Sequence, residues 1–226
     1  MWVEVFGRYL DASARPTVAD VGCGIGMYSD LLAEGIDATV VGVDPSARMR
    51  EVAEREHAHP RVRYVAGSAE ELPLADASCD AALMSNVLHH VADRDACARE
   101  LHRVLRPGGL LLLRGSRRIN LGSFPFFEYF PTALAIDRER VPSADEVLEI
   151  FAGRFVQAAH EQIAQDSASS FREYTERIAT RSISTLELIS DEEFEEGIAR
   201  MREVAERETE PQPVIERVDL MVLRRV

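Results

Sequence analysis

A glycine-rich segment and two carboxylates are the residues of this sequence best suited to binding chemistry. Asp20 lies two residues before Gly22-Cys23-Gly24-Ile25-Gly26, and Asp44 follows in the next apolar run. Glycines at this spacing allow a tight turn and let a ligand approach the backbone closely. A carboxylate such as Asp44 can accept hydrogen bonds from both hydroxyls of a ribose. A dinucleotide fingerprint would need its third glycine where Met27 stands, so the pattern does not fit a dinucleotide site.

Alternating strands and helices would bring these residues to one edge of a sheet. From Thr17 onward, short apolar runs alternate with stretches of helical spacing, which predicts right-handed βαβ crossovers and a mostly parallel sheet. Ligands bind beyond the carboxyl ends of the strands in such sheets. The predicted strands span 17–23, 39–44, 61–67, 79–85, 110–116, 155–164 and 214–223. The predicted helices span 2–10, 26–34, 46–56, 94–105, 144–152, 171–189 and 191–208.

Local signals set the ends of these elements. Gly35 is a natural cap for the helix over 26–34, and Asp93 is a natural cap for the helix over 94–105. We expect residues 117–141 to be loop-like and rich in aromatic side chains. Three capping boxes predict the starts of the later helices: Ser143 with Glu146, Ser170 with Glu173, and Ser190 with Glu193.

Composition excludes several classes of function. The 226 residues include 39 acidic and 26 basic side chains, and the net charge of −13 disfavours binding of nucleic acid or anionic membranes through bulk charge. All of the basic residues are arginine, so chemistry that needs a lysine amine is excluded. The three cysteines (Cys23, Cys79 and Cys97) form no CxxC pair and suggest neither a zinc knuckle nor a disulfide framework.

The sequence shows no pattern typical of a targeting signal. The first residues, MWVEVFGRYLD, lack a basic region followed by a long apolar one, and no apolar run approaches 18 residues. We therefore expect neither a secretory signal nor a membrane span. We expect a cytoplasmic protein.

Four segments resemble the class I S-adenosylmethionine-dependent methyltransferases. They are VADVGCGIGMYS, VVGVDPSARM, VAGSAEELPLADASCDAALMSNVLHHV and RVLRPGG, and they cover about residues 17–116. Within that class the sequence is similar to the small-molecule branch that includes the quinone-biosynthesis methyltransferases. The resemblance implies a Rossmann-like α/β fold with sheet order 3-2-1-4-5-7-6, an antiparallel seventh strand and flanking helices. It also implies S-adenosylmethionine as the cofactor.

The resemblance assigns a role to each part of the site. The three glycines would pass beneath the methionine part of the cofactor, Asp20 would reach its ammonium group directly or through water, and Asp44 would hold the ribose diol. Pro45 and Met49 would pack on the adenine. Cys23 is common in this turn and needs no redox role. The adenine amino group would be read by Ser68, Ala69 and Glu70, and the sulfonium would face Ser85 and Asn86. The family usually has Asp where Ser68 stands, so adenine recognition is expected to rest more on the backbone of Ala69.

Catalysis requires alignment of donor and nucleophile, and a base only where the acceptor must lose a proton. His89 and His90 follow the fourth strand, where the acceptors of the family bind. We favour bracing of the loop for His90, whereas for His89 both a general base and a structural role are open. Met84-Ser85-Asn86-Val87 is unlike the motif of enzymes that methylate base or amide nitrogen. No carboxylates cluster at this strand end, so no metal is expected.

An aromatic segment follows the fifth strand. Its rings could wall an acceptor pocket that selects an apolar or aromatic molecule, or they could pack on a core. They belong to Phe124, Phe126, Phe127, Tyr129 and Phe130. We expect one domain over 1–226, with an N-terminal helix in 1–16, a cofactor-binding core in 17–116, an aromatic lid and helix in 117–154, and a helical insertion in 168–210.

The sequence therefore predicts transfer of a methyl group by in-line displacement to oxygen or carbon, and less readily to nitrogen, of a small apolar or aromatic metabolite. A family member that binds the cofactor without transferring methyl, such as a cyclase or a regulatory protein, would keep the same residues. A nucleic-acid partner is disfavoured by the charge, and a protein substrate by the missing motif. The short stretch before the first strand leaves room for a homodimer to complete the site.

Overall fold

The computed structural model describes residues 1–226 and confirms the predicted sheet. Seven strands form one mostly parallel sheet in the order β3-β2-β1-β4-β5-β7-β6. The strands are β1 (Thr17–Val21), β2 (Thr39–Asp44), β3 (Val62–Ala66), β4 (Cys79–Ser85), β5 (Leu105–Gly115), β6 (Phe155–Ala168) and β7 (Val214–Arg225). The helices are α1 (Trp2–Gly7), α2 (Met27–Ile36), α3 (Ala47–Glu56), α4 (Arg94–Val104), α5 (Pro131–Arg140), α6 (Ala144–Phe151), α7 (Phe171–Ala179) and α8 (Asp191–Glu206).

The central strands are apolar because both of their faces are covered, as is usual for parallel sheets. Every residue of β1 except Thr17 is buried, and every residue of β2 except Thr39. β1 lies between β2 and β4 and is parallel to both. Parallel pairing brings the carboxyl ends of these strands to the same edge, where the glycine segment, Asp44 and Ser85 all lie.

The chain forms two compact units. The first contains residues Met1–Gly115, Asp145–Glu161 and Leu220–Val226. Its helix starts agree with the sequence signals: Ser46 accepts a hydrogen bond from the backbone N–H of Met49 at the start of α3, and Asp93 accepts one from Ala96 at the start of α4. Such caps satisfy backbone donors that the first helical turn leaves without partners.

The prediction that Gly35 ends the second helix is wrong. α2 continues to Ile36, and Asp37 is the left-handed residue (φ +56°) that ends it. The position of Gly35 has no room for a side chain, because a Cβ there would lie 2.4 Å from the side chain of Val3. This glycine therefore allows α1 to pack closely on α2.

The fifth strand begins earlier than predicted. β5 starts at Leu105, which pairs with Cys79, and the next paired residue of β4, Ala81, faces Leu110. Arg106-Pro107-Gly108-Gly109 therefore forms an irregularity inside the strand, and the positive φ of Gly108 (+77°) fits glycine.

The second unit contains residues Ser116–Ala144 and Gln162–Asp219 and has its own core. Phe130 stacks on Phe194 of α8 with ring centroids 6.0 Å apart. A Cβ at Gly197 would lie 2.1 Å from the ring of Phe130, so the glycine makes room for that ring. Tyr174, which is fully buried, donates a hydrogen bond of 2.7 Å to Glu216.

Three sequence boundaries in this region are corrected. Residues 117–141 are not all loop, because α5 occupies Pro131–Arg140 and two short 3₁₀ turns precede it. The N–H of Thr132, in the first turn of α5, is satisfied by Glu193 at 2.9 Å, a partner that no local pattern shows. β6 runs on to Ala168 instead of ending at 164.

The helix predicted over 171–189 ends at Ala179. Ser170 caps it as expected, accepting from the N–H of Glu173 at 3.1 Å. Beyond Ala179, Arg181 adopts a left-handed conformation (φ +53°), and its guanidinium donates to the carbonyls of Leu186 and Ile189, each at 2.9 Å. These side-chain bonds fix the path of the chain after α7, and propensity alone does not reveal them.

Candidate functional site

The glycine segment forms a turn that joins β1 to α2 at the carboxyl edge of the sheet. The N–H groups of Gly22 and Cys23 both donate to the carbonyl of Val43, at 2.7 and 3.1 Å, and fix the turn against β2. Gly22, Gly24 and Gly26 all have positive φ. Added Cβ atoms would meet Val87 at Gly22 and Tyr64 at Gly26, whereas at Gly24 one would meet open space. Gly24 is thus the point where another molecule can reach the backbone.

Asp44 joins this turn to α3. Its Oδ2 accepts from the N–H of Gly24 at 2.9 Å, and its Oδ1 accepts from the N–H of Ser46 at 2.8 Å. The guanidinium of Arg50 donates to the Asp44 carbonyl at 2.6 Å. Each carboxylate oxygen accepts about two hydrogen bonds, so both keep capacity for a further donor. This geometry suits the two hydroxyls of a ribose.

Asp20 is the buried acid of the site. It is 1% exposed, and its Oδ2 accepts from the hydroxyl of Ser29 in α2 at 2.6 Å. Burial, reinforced by the charge of nearby Asp44, raises the pKa of Asp20 to about 6, although the hydrogen bond from Ser29 opposes the rise. A cation would favour the ionised form of this carboxyl.

Cys23 is buried inside the turn. Burial raises the pKa of its thiol well above the usual range, and the charges of Asp20 and Asp44 raise it further. The thiol therefore stays protonated and is a poor nucleophile or metal ligand.

The residues assigned to an adenine ring lie on the β2 and β3 side of the turn. Pro45 and Met49 are exposed, Met49 to 42%, and offer apolar surface beside Asp44. In the turn after β3, Ser68 is half-buried and Ala69 is buried. One carboxylate oxygen of Glu70 already has a partner in the protein, because Oε1 accepts a hydrogen bond from the N–H of Ala92 at 3.1 Å.

On the other side of the turn lie the residues that follow β4. Asn86 has a positive φ (+58°), and its N–H donates to the carbonyl of Arg114 at 2.9 Å. His89 is half-buried in the short 3₁₀ turn that follows, with its ring centroid 4.1 Å from that of the exposed His90. His89 follows the carboxyl end of β4 in the chain, and its role as a base or as a structural residue stays a prediction.

Sequence reasoning missed a cluster around Arg114, at the end of β5. This arginine pairs in register with Ser85, and its Nη1 donates to the Ser85 hydroxyl at 3.2 Å. Its guanidinium lies 4.4 Å from the ring centroid of Trp2 and 4.9 Å from that of Tyr28. The only sequence signal was a charged residue in an otherwise apolar strand.

The predicted acceptor wall lies in the second unit. Three of its five rings are buried in the core of that unit, and two keep partial exposure. The buried ones are Phe126, Phe127 and Phe130, and the half-buried ones are Phe124 and Tyr129. Packing thus accounts for the three buried rings, while the role of the segment in acceptor binding stays a prediction.

The comparison with protein families agrees with this geometry. Residues 19–113 match the family described as "Methyltransferase domain", a range that includes the glycine turn, Asp44 and Ser85. Residues 19–113 are thus similar to that family. The resemblance that the sequence predicted is thereby confirmed.

Two curated relatives show how far the likeness extends. The ubiquinone/menaquinone biosynthesis C-methyltransferase UbiE of Rubrivivax gelatinosus is 42% identical over 113 residues, which are 50% of this chain and 44% of that protein. The 27-O-demethylrifamycin SV methyltransferase of Amycolatopsis mediterranei is 29% identical over 212 residues, 87% of this chain and 75% of that one. The chain spans less than half the length of several curated relatives that it matches.

A solved methyltransferase structure shares the fold. The putative methyltransferase from an antibiotic biosynthesis pathway of Anabaena variabilis superimposes with a TM-score of 0.77, at 21% identity, over 100% of this chain and 96% of its own. No helix combines the length and apolarity that crossing a bilayer requires, and no three His, Cys, Asp or Glu side chains are arranged to hold a metal ion.

Proposed function

We propose that this protein transfers the methyl group of S-adenosylmethionine to an oxygen or carbon atom of a small molecule. The observation that carries the proposal is the contact between Asp44 and the N–H of Gly24 at 2.9 Å, beside a glycine whose Cα faces open space. This contact fixes a diol acceptor next to the glycine of the turn where an added Cβ would meet no other atom. The relatives named above, one a C-methyltransferase and one acting on a demethylated rifamycin, support the choice of atoms.

The residues present fit that cofactor. The open face of Gly24 leaves room for a ligand on the turn, which a side chain there would occupy. Asp44 keeps acceptor capacity for a ribose diol, and Met49 offers an exposed apolar surface for an adenine ring. Buried Asp20 suits an ammonium group, because a cation compensates the cost of ionising a desolvated carboxyl.

When bound, the cofactor supplies a methyl group that its sulfonium has already activated. The chain has to orient the donor and exclude water, and alignment of reacting groups can lower a barrier by ~7–11 kcal/mol. Asp44 and the glycine turn hold the nucleoside in place. Asp20 holds the amino-acid end. Ser85 and Asn86, at the end of β4, line the side from which an acceptor approaches.

An acceptor hydroxyl must lose its proton as it attacks, and His89 is the residue we assign to that step. It is half-buried just beyond β4, and an imidazole can take a proton near neutral pH. For the acceptor itself we propose an apolar or aromatic small molecule. Phe124 and Tyr129 are the aromatic residues of the predicted wall whose rings keep exposed surface.

Transfer of label tests the proposal. The protein is incubated with S-adenosylmethionine labelled in its methyl group and an extract of bacterial small molecules, and the products are separated by mass. We expect label in a molecule heavier by one methyl group. The control is Asp44→Ala, which should bind the cofactor far more weakly in calorimetry and transfer no label. Tight cofactor binding without transfer to any extract would instead indicate a protein that binds the cofactor for another purpose.

A further inference from the structure

The side chain of Arg114 is an unusual group to find at the end of an apolar strand. It is 7% exposed, and the rings of Trp2 and Tyr28 cover its guanidinium at 4.4 and 4.9 Å. The N–H donors of a guanidinium lie at the edges of its plane. One of those donors contacts the hydroxyl of Ser85. The arginine is thus held rigidly beside a residue of the candidate site.

The order of the strands fixes which end of a ligand this arginine faces. β1 and its glycine turn lie at the centre, with β2 on one side and β4 followed by β5 on the other. Asp44 lies at the end of β2, and Arg114 lies at the end of β5. A ligand with its ribose at Asp44 that crosses the turn therefore directs its opposite end toward Ser85 and Arg114.

The opposite end of the cofactor has a carboxylate, which a cationic side chain would stabilise. The amino-acid end of S-adenosylmethionine has an ammonium group, which Asp20 suits, and a carboxylate. A carboxylate removed from water needs a paired charge with good hydrogen bonds, and the guanidinium offers a matching fork of donors. Tyr28 lies in the first turn of α2, so the positive end of that helix adds to the attraction.

We propose that Arg114 binds the carboxylate of the cofactor's amino-acid moiety, with Trp2 and Tyr28 holding its guanidinium in place. The proposal rests on the proposed function and assigns to this chain a cofactor-selecting residue outside the glycine turn. It also gives α1 a role, since the ring of Trp2 in that helix packs against the guanidinium.

Two ligands that differ in this moiety test the assignment by calorimetry. S-adenosylhomocysteine has the amino-acid end, and 5′-methylthioadenosine lacks it. Arg114→Met keeps an unbranched apolar chain beside the two rings and removes the charge. We expect this variant to bind S-adenosylhomocysteine about 10- to 100-fold more weakly and 5′-methylthioadenosine within about twofold of the unaltered protein. Arg114→Lys keeps the charge but not the fork of donors. Its affinity for S-adenosylhomocysteine should lie between those of Arg114→Met and the unaltered protein.

Binding of 5′-methylthioadenosine also serves as the folding control, because a variant that has lost the fold cannot bind it. Asp44→Ala is the matched comparison and should weaken both ligands alike. Equal weakening of the two ligands by Arg114→Met would overturn the proposal in favour of a structural role. Unchanged binding of both would overturn it as well, and would direct attention to an anionic acceptor. If the unaltered protein binds neither ligand, the proposed function itself fails.

Discussion

The three glycines of the turn after β1 differ in which atoms surround them. The three glycines of the turn share a positive φ but have different neighbours, because Gly22 and Gly26 face side chains and Gly24 faces open space. The sequence motif shows the three as equivalent. Their different surroundings arise from Val87, after β4, and Tyr64, in β3, so no local pattern could distinguish them.

Substitution of two of these glycines should separate the roles. Gly26→Ala places a Cβ 2.4 Å from the Tyr64 hydroxyl and 2.9 Å from Ala53, so we expect a loss of about 2–4 kcal/mol in the free energy of unfolding. Gly24→Ala carries only the backbone strain of about 1–2 kcal/mol but places a methyl group where the ligand would lie. Denaturant unfolding and calorimetry with S-adenosylhomocysteine measure the two effects. A Gly24→Ala variant that binds normally would contradict the proposed path of the ligand.

Asp20 should make stability depend on pH. Its pKa in the folded protein, about 6, lies above the ordinary value of 3.8, so between these values the folded state binds more protons than the unfolded state. Stability must then fall as pH rises through this window, by up to about 3 kcal/mol. Unfolding in urea, followed from pH 4 to pH 7.5, should show this fall in the difference between the protein and Asp20→Asn.

A second variant checks the cause of that shift. Ser29 donates to the Asp20 carboxylate and lowers its pKa, so Ser29→Ala should move the fall in stability to higher pH. Affinity for S-adenosylhomocysteine should follow the opposite course, rising as pH rises through 6, because its ammonium group prefers the ionised carboxyl. An identical pH profile in the protein and Asp20→Asn would show that Asp20 does not titrate in this range.

Elements were predictable where their signals are local and unpredictable where distant residues decide. The strand, glycine turn and helix that form the site follow one another along the chain, and hydrophobic pattern and caps are enough to place them. Arg114 was missed because its partners, Trp2, Tyr28 and Ser85, come from three other elements. In the second unit, α5 was missed for the same reason, since Glu193 of α8 satisfies its first turn.

The packing of α1 on α2 gives a prediction about elements. Gly35 lies inside α2, where alanine has the better helix propensity by about 1 kcal/mol, yet its Cβ would lie 2.4 Å from the Val3 side chain. We expect Gly35→Ala to lower the unfolding free energy by about 1–3 kcal/mol. Val3→Ala removes the obstructing methyl groups, and the double variant should recover most of the loss. Additive effects in this double-mutant cycle would mean that the two helices do not meet here.

The molecule as a whole separates its candidate cofactor residues from its aromatic cluster. Every residue assigned to the cofactor lies in the first unit, and the five aromatic residues after β5 lie in the second. Each unit has its own buried residues, so a substitution confined to one core acts first on that unit. The family match, over residues 19–113, lies entirely within the first of the two units. This explains why the cofactor is easier to propose from sequence than the acceptor.

Net charge gives the prediction at this largest scale. With 39 acidic and 26 basic residues, the chain carries −13 and repels polyanions over distances of about 10 Å at 0.1 M salt. Binding of nucleic acid draws most of its free energy from neutralised phosphates, which needs a basic face. We therefore expect no shift of tRNA in a native gel at low salt, while S-adenosylhomocysteine still binds in the same buffer. A complex whose affinity falls steeply with added salt would reveal a local basic surface strong enough to outweigh the total charge, and would move the acceptor from small molecules to RNA.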